Sequence, residues 1–186
     1  MFIDLMTLLK YEKIQELILS DEKRMAALQA VASLNLPDCF IAAGFVRNMV
    51  WDYLHGYIST PLNDVDLIYF EKAQSMDPDR ILEKLQQLLP EFNWEVKNQV
   101  VMHLRNGDSP YSSSTDAMTF WPEKETAVGV RLVSGSVIEV VAPFGLDSLF
   151  SGYITHNPKR SQAVFAERVQ SKGWLQKWPQ LKIRAC

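Results

Sequence analysis

Between Ile41 and Phe70 the chain reads IAAGFVRNMVWDYLHGYIST and then PLNDVDLIYF. This stretch constrains the fold more than any other. Ile41–Ala43 is a short apolar run that Gly44 stops. Val46, Met49, Val50 and Tyr53/Leu54 then recur on one face of a helix, with Gly56 as its C-terminal stop. After a Ser-Thr-Pro loop, Val65–Phe70 has the branched and aromatic make-up of a strand. Asp64 and Asp66 stand at its entrance. Side chains alternate along a strand, so both carboxylates point the same way, about 7 Å apart at Cα.

Two carboxylates gathered at the end of an apolar strand repel each other, by about 4 kcal/mol at 4 Å and an effective dielectric of 20. A cation relieves that repulsion, and oxygen-only ligands suit Mg²⁺ or Mn²⁺. The bland reading is turn chemistry at Asn63-Asp64 with Asp66 as an exposed strand residue. The upstream turn favours the first reading. A strand, a glycine and a helix start form a cradle of backbone N–H groups for phosphate.

These residues resemble a known family. Ala43-Gly44-Phe45-Val46-Arg47-Asn48 followed by Asn63-Asp64-Val65-Asp66-Leu67 is similar to the head of the nucleotidyltransferase superfamily, as in tRNA CCA-adding enzymes and bacterial poly(A) polymerases. Their pattern is Gly-Gly-x-Val-Arg-Asp and then Asp-x-Asp-Leu. Ala142–Leu149, Asn157-Pro158 and Phe165–Arg168 continue the likeness. VKNQVVMH, PYSSSTDAM, WPEKETAVGVRL and APFGLDSLF resemble a family of small stand-alone bacterial nucleotidyltransferase-like proteins. Residues 39–182 are covered. Ala43 and Asn48 stand where the broader pattern has Gly and Asp.

The resemblance implies an α+β fold, a nucleotidyltransferase-like mixed β-sheet flanked by helices, behind an N-terminal helical pair. It implies Asp64, Asp66 and a third carboxylate as catalytic groups, with Asp64 and Asp66 holding Mg²⁺ or Mn²⁺. By order the third is Glu95, in WEVKNQVVMHL, read as a strand over 94–104. Glu139, flanked by apolar residues in VIEVV, is the competitor, and a strand glutamate among apolar neighbours calls for a partner. Gly44, Arg47, Asn48 and Lys97 are the candidate nucleotide-binding residues. Arg47 lies in the first helical turn, where the dipole disfavours a free cation, so it calls for phosphate or a carboxylate such as Asp52 or Asp116.

Two functions follow. One is metal-dependent transfer of a nucleoside monophosphate from a nucleoside triphosphate to an acceptor the sequence does not identify. The other is a non-catalytic nucleotide-binding or regulatory module on the same fold.

The rest of the chain supplies packing. At 186 residues and 47 % apolar it reads as a single domain over 1–186: helices over 1–36, a sheet core over 39–150 and a basic helical tail over 157–186. Asp77-Pro78 starts another helix, and Ser114/Thr115 cap a short one. His55, His103 and His156 are solitary and read as structural. No apolar run is long enough for a membrane span, the N-terminus lacks a basic leader, and two cysteines offer no metal spacing, so a cytoplasmic protein is expected. A net charge of −3 does not indicate a nucleic-acid partner. The tail carries seven Lys or Arg against one acid, Glu167, and reads as a solvated helical face.

Overall fold

In a computed structural model, residues 5–58, 60–62, 64–73 and 75–185 are described. Asn63, part of the Asp-x-Asp reading, and Cys186 lie outside them. The two opening helices form as expected, α1 (Leu5–Leu19) and α2 (Glu22–Ser33). Asp21 caps the second by accepting from the Arg24 amide at 3.0 Å.

The organising stretch gives β1 (Phe40–Ala42), α3 (Gly44–His55) and β2 (Asp64–Tyr69). Gly56 ends α3 in the left-handed conformation, φ 66°. Asp77 caps α4 (Pro78–Leu88), accepting from the Asp79 amide at 3.0 Å, and the chain returns along β3 (Asn93–Asn98) parallel to β2. After α5 (Gln99–Asn106) and α6 (Ser114–Met118), the hairpin strands β4 (Gly129–Ser134) and β5 (Val137–Val141) complete a five-stranded sheet of order β3-β2-β1-β4-β5. Only the β2–β3 pair is parallel, so the sheet is mixed, as expected.

Two expectations about local structure are corrected. The third strand ends at Asn98, and QVVMHL is helical. The buried Asn98 side chain accepts from the Val100 amide at 3.2 Å and so caps α5, while also bonding the Glu71 backbone. A paired valine in a helical turn had the composition of a strand. The α6 cap is Ser113, accepting from Asp116 at 2.9 Å, whereas Ser114 is buried against Asp38.

One sheet face carries the main core. Ile41, Val65, Leu67 and Tyr69 pack there with residues of α1 to α4. The other face is smaller: Phe40, Ala42 and Ile68 meet Met118 and Ala127, with Trp121, Val141 and Phe144 beside them. Asp66 lies opposite Ala42, and Ile68 opposite Phe40, so the aspartates occupy this second face at the mouth of the sheet.

The C-terminal region is α7 (Asp147–Phe150), β6 (Tyr153–Thr155), α8 (Gln162–Lys172), α9 (Trp174–Lys177) and β7 (Lys182–Arg184). The tail thus ends in a strand, parallel to β6, that the helical reading did not foresee. It docks on α3 through tryptophans. The Trp51 ring lies 5.7 Å from Trp174 and 5.2 Å from Trp178, and the Trp178 indole donates to the buried Asp52 at 2.8 Å. Among the described residues no helix is long and apolar enough to cross a membrane.

Candidate active-site cleft

The turn between β1 and α3 is where sequence and backbone disagree. Ala43 adopts φ 57°, ψ −123°, a conformation that suits glycine and strains any residue with a Cβ. Its amide donates to Val128 at 2.9 Å, and its carbonyl accepts from Val46 and Arg47, so neighbouring structure holds the strain in place. Ala43→Gly is therefore expected to stabilise the fold by about 1 kcal/mol, since relieved strain outweighs the added freedom of the unfolded chain. Thermal unfolding checks this. A midpoint rise of about 2–4 °C is expected for a chain this long, and a fall would show that the alanine is relaxed.

Beside this turn opens a cleft of about 380 Å³. Asp64, Asp66, Glu95 and Lys97 line one end, with Ala43 next to them. Asp66 and Glu95 are register partners on the parallel strands β2 and β3, and Asp64 pairs with Asn93, whose amide donates to its carboxylate at 2.8 Å. The Lys97 ammonium bonds Glu95 and lies 3.9 Å from Asp66. Burial pushes the Asp66 carboxyl above the usual carboxylate range, opposed by Lys97 and reinforced by Glu95 and Asp64.

Glu139 is far from this group. It sits on β5, three strands from β2, and pairs with Arg131 at 2.5 Å. The partner that a strand glutamate called for is Arg131.

The remaining candidates lie behind the cleft rather than along it. Gly44, Arg47 and Asn48 are not among its lining residues. Arg47 is 6 % exposed, and its guanidinium lies 4.8 Å from the Trp51 ring and 4.5 Å from Trp174. It donates to the Asn48 side-chain oxygen at 2.9 and 3.2 Å and to the Thr126 hydroxyl at 2.6 Å. Asn48 thus pins Arg47 through a neutral oxygen. Neither suggested carboxylate is its partner, because Asp52 is engaged by Thr60 and Trp178, and Asp116 by Ser112. Burial pulls the Arg47 pKa down to about 10, with Glu123 the strongest opposing charge.

Glu123 links these layers. It is 1 % exposed, accepts from Arg168 at 2.7 Å and from Thr126 at 2.9 Å, and Thr126 in turn receives Arg47. Thr126 and Arg168 both line the cleft, as does Lys172 one turn along α8. Two cations of the basic tail, on its solvated side, therefore also line the cleft. Glu123→Gln should cost about 2 kcal/mol, because the buried charge-assisted bond to Arg168 is lost. Urea unfolding measures this; an unchanged midpoint would mean the link adds nothing.

Arg168, Lys172, Tyr111, Trp121 and Thr126 are cleft residues that no sequence motif marked. The Arg168/Lys172 pair at i, i+4 behind the Ser161 cap was the available signal. Each histidine ring meets a backbone oxygen: His55 that of Trp51, His103 that of Val100, and His156 that of Arg160.

The donor set can be tested for a divalent cation on this geometry. Asp64 and Asp66 supply oxygen only, and Asp66 is burdened by like charge. With Lys97 lying on Glu95, no three carboxylate, imidazole or thiol groups converge to hold a metal among the described residues. A pair of carboxylates fits Mg²⁺ or Mn²⁺, since Mg²⁺ keeps several waters and binds through one or two carboxylates plus substrate phosphates.

A family model described as nucleotidyltransferase matches residues 29–183. A solved structure described as a CCA-adding enzyme head domain superimposes with a TM-score of 0.82 at 31 % identity, over 94 % of this chain and 96 % of that one. An apo tRNA-processing enzyme shares the fold, with a TM-score of 0.52 at 14 % identity; the match spans 98 % of this chain but 45 % of that one. No curated protein matches the chain.

Proposed function

The chain belongs to the nucleotidyltransferase family, and on that premise we propose that the cleft transfers a nucleoside monophosphate from a nucleoside triphosphate to an acceptor hydroxyl, releasing pyrophosphate. The observation that carries this reading is the Asp66–Glu95 register pair, with Asp64 on the same strand face and Lys97 between the carboxylates.

Asp64 and Asp66 would hold the divalent ion, which when bound supplies charge neutralisation to the triphosphate and lowers the pKa of the attacking hydroxyl. Glu95 would take the hydroxyl proton as the new phosphate ester forms. Lys97, released from Glu95, would meet the negative charge that builds on pyrophosphate as the old bond breaks. Arg168 and Lys172 face the same space and would hold the outer phosphates. The first amides of α3, beginning at Gly44 behind the cleft, would add the positive end of the helix dipole to the phosphate site. Arg47 and Asn48 would act through Thr126 and the turn, keeping both in place.

Calorimetry with Mn²⁺ and a nucleoside triphosphate tests the site. Joint binding by the wild type, lost in Asp64→Asn/Asp66→Asn, is the expected result. Unchanged metal affinity in the double variant would contradict it. A second reading, a binding module without turnover, is favoured by the absence of three converging metal-ligand groups among the described residues. In that case triphosphate and metal bind but no pyrophosphate appears.

A further inference from the structure

A metal and a triphosphate do not account for every residue that lines the cleft. The charged end groups Asp64, Asp66 and Glu95 with Lys97, and Arg168 and Lys172 line the same cleft. Past Lys97 and its register partner Ile68, the lining turns to Met102, Tyr111 and Trp121, with the side-chain amides of Gln99 and Asn106 beside them. We propose that this apolar end takes the nucleobase of the nucleoside triphosphate, with the Trp121 indole as the stacking surface and Met102 on α5 as a second apolar group lining the same cleft. The proposal rests on the reading of the charged end as the triphosphate site.

The wall is built to be rigid. Trp121 packs against the small core of Phe40, Ile68 and Met118 but remains partly open to the cleft. Tyr111 is fixed at both ends. Its ring meets Phe120 at 5.0 Å and His103 at 6.0 Å, and its hydroxyl bonds Asp108 and receives the Asn106 amide at 3.2 Å. Asp108 is itself held by Arg160 through two bonds of 2.7 and 2.6 Å, and Lys159 covers Phe120 with its ammonium 3.8 Å from the ring centre. A flat apolar face that is already immobile takes a planar ring with little further ordering.

The same contacts limit how the base is read. The Tyr111 hydroxyl is committed to Asp108 and Asn106, so what this residue offers along the wall is its ring. Stacking tolerates every base and grows with ring area. Purine nucleotides should therefore bind more tightly than pyrimidine nucleotides.

Binding of ATP, GTP, CTP, UTP and inorganic triphosphate, measured with Mg²⁺ on wild type, Trp121→Leu, Trp121→Phe and Met102→Ala, tests this. Thermal melts confirm that each variant is folded. In the wild type, purine nucleotides should exceed inorganic triphosphate by about 10- to 100-fold. Trp121→Leu should erase most of that margin while leaving inorganic triphosphate unchanged, and Trp121→Phe should keep much of it. Met102→Ala, at the second apolar group, gives the same readout if the leucine variant does not fold. Equal binding of nucleotides and inorganic triphosphate to the wild type, or a margin that survives both Trp121→Leu and Met102→Ala, overturns the proposal. If inorganic triphosphate fails to bind while nucleotides still depend on Trp121, the charged-end reading fails and the base site stands. Binding of neither overturns both.

Discussion

Asp66→Asn is expected to lower nucleotidyl transfer on the order of 1,000-fold, about 4 kcal/mol of transition-state stabilisation, without unfolding the protein. Asp66 is the carboxylate nearest the centre of the cluster, opposite Ala42 on one side and Glu95 on the other. Its carboxyl is pushed above the ordinary range by burial first and by Glu95 and Asp64 as well. A carboxyl raised on folding contributes stability that is full below its unfolded pKa and lost as pH rises through its folded pKa. Above that value the ionised group works against the fold. The amide should thus leave the urea midpoint unchanged or slightly higher at neutral pH, and the difference from wild type should shrink on acidification. Metal binding needs the ionised carboxylate, so protection by Mn²⁺ should grow with pH over the same window. Residual transfer near the wild-type rate, or a clear loss of stability at neutral pH, would show that Asp66 is a structural residue.

Glu95→Gln should reduce kcat by about 100-fold or more with little change in nucleotide affinity, the signature of a lost proton acceptor. Glu139→Gln should leave transfer unaltered. The contrast follows from topology. Glu95 is in register with Asp66, whereas Glu139 lies three strands away and is bonded to Arg131. Matched losses in the two variants would indicate a general effect on the sheet. A silent Glu95→Gln in a working assay would mean that the two aspartates suffice.

What could be read in advance was local. Gly44 with the α3 periodicity, Gly56, and Asp77 before Pro78 each act within one turn of chain, and each sits where the pattern put it. The Asp64/Asp66 pair was legible because strand alternation places i and i+2 on one face. Long-range choices were not. Asn98 ends β3 because its side chain reaches Glu71 across the sheet, and nothing in QVVMHL announces that contact. The β6–β7 pairing joins Tyr153 to Lys182 with two helices between them. Arg168 becomes a cleft residue through Glu123, 45 positions away. Arg47 found its anchor in Thr126 and two indoles, a combination spread over three elements. Ala43 is the instructive exception. The resemblance asked for glycine there, and the backbone adopts the glycine-like conformation regardless.

Nucleotidyl transfer at this cleft can be followed by incubating the wild type and Asp66→Asn with Mg²⁺ or Mn²⁺ and each nucleoside triphosphate, labelled either at the α- or at the γ-phosphate, with a cell extract as the source of acceptor. Wild type should leave the α-label covalently attached to an acceptor or to the protein itself and release the γ-label in pyrophosphate, and Asp66→Asn should do neither. Attachment of the γ-label, or attachment of the α-label that is equal in the two proteins, would contradict it.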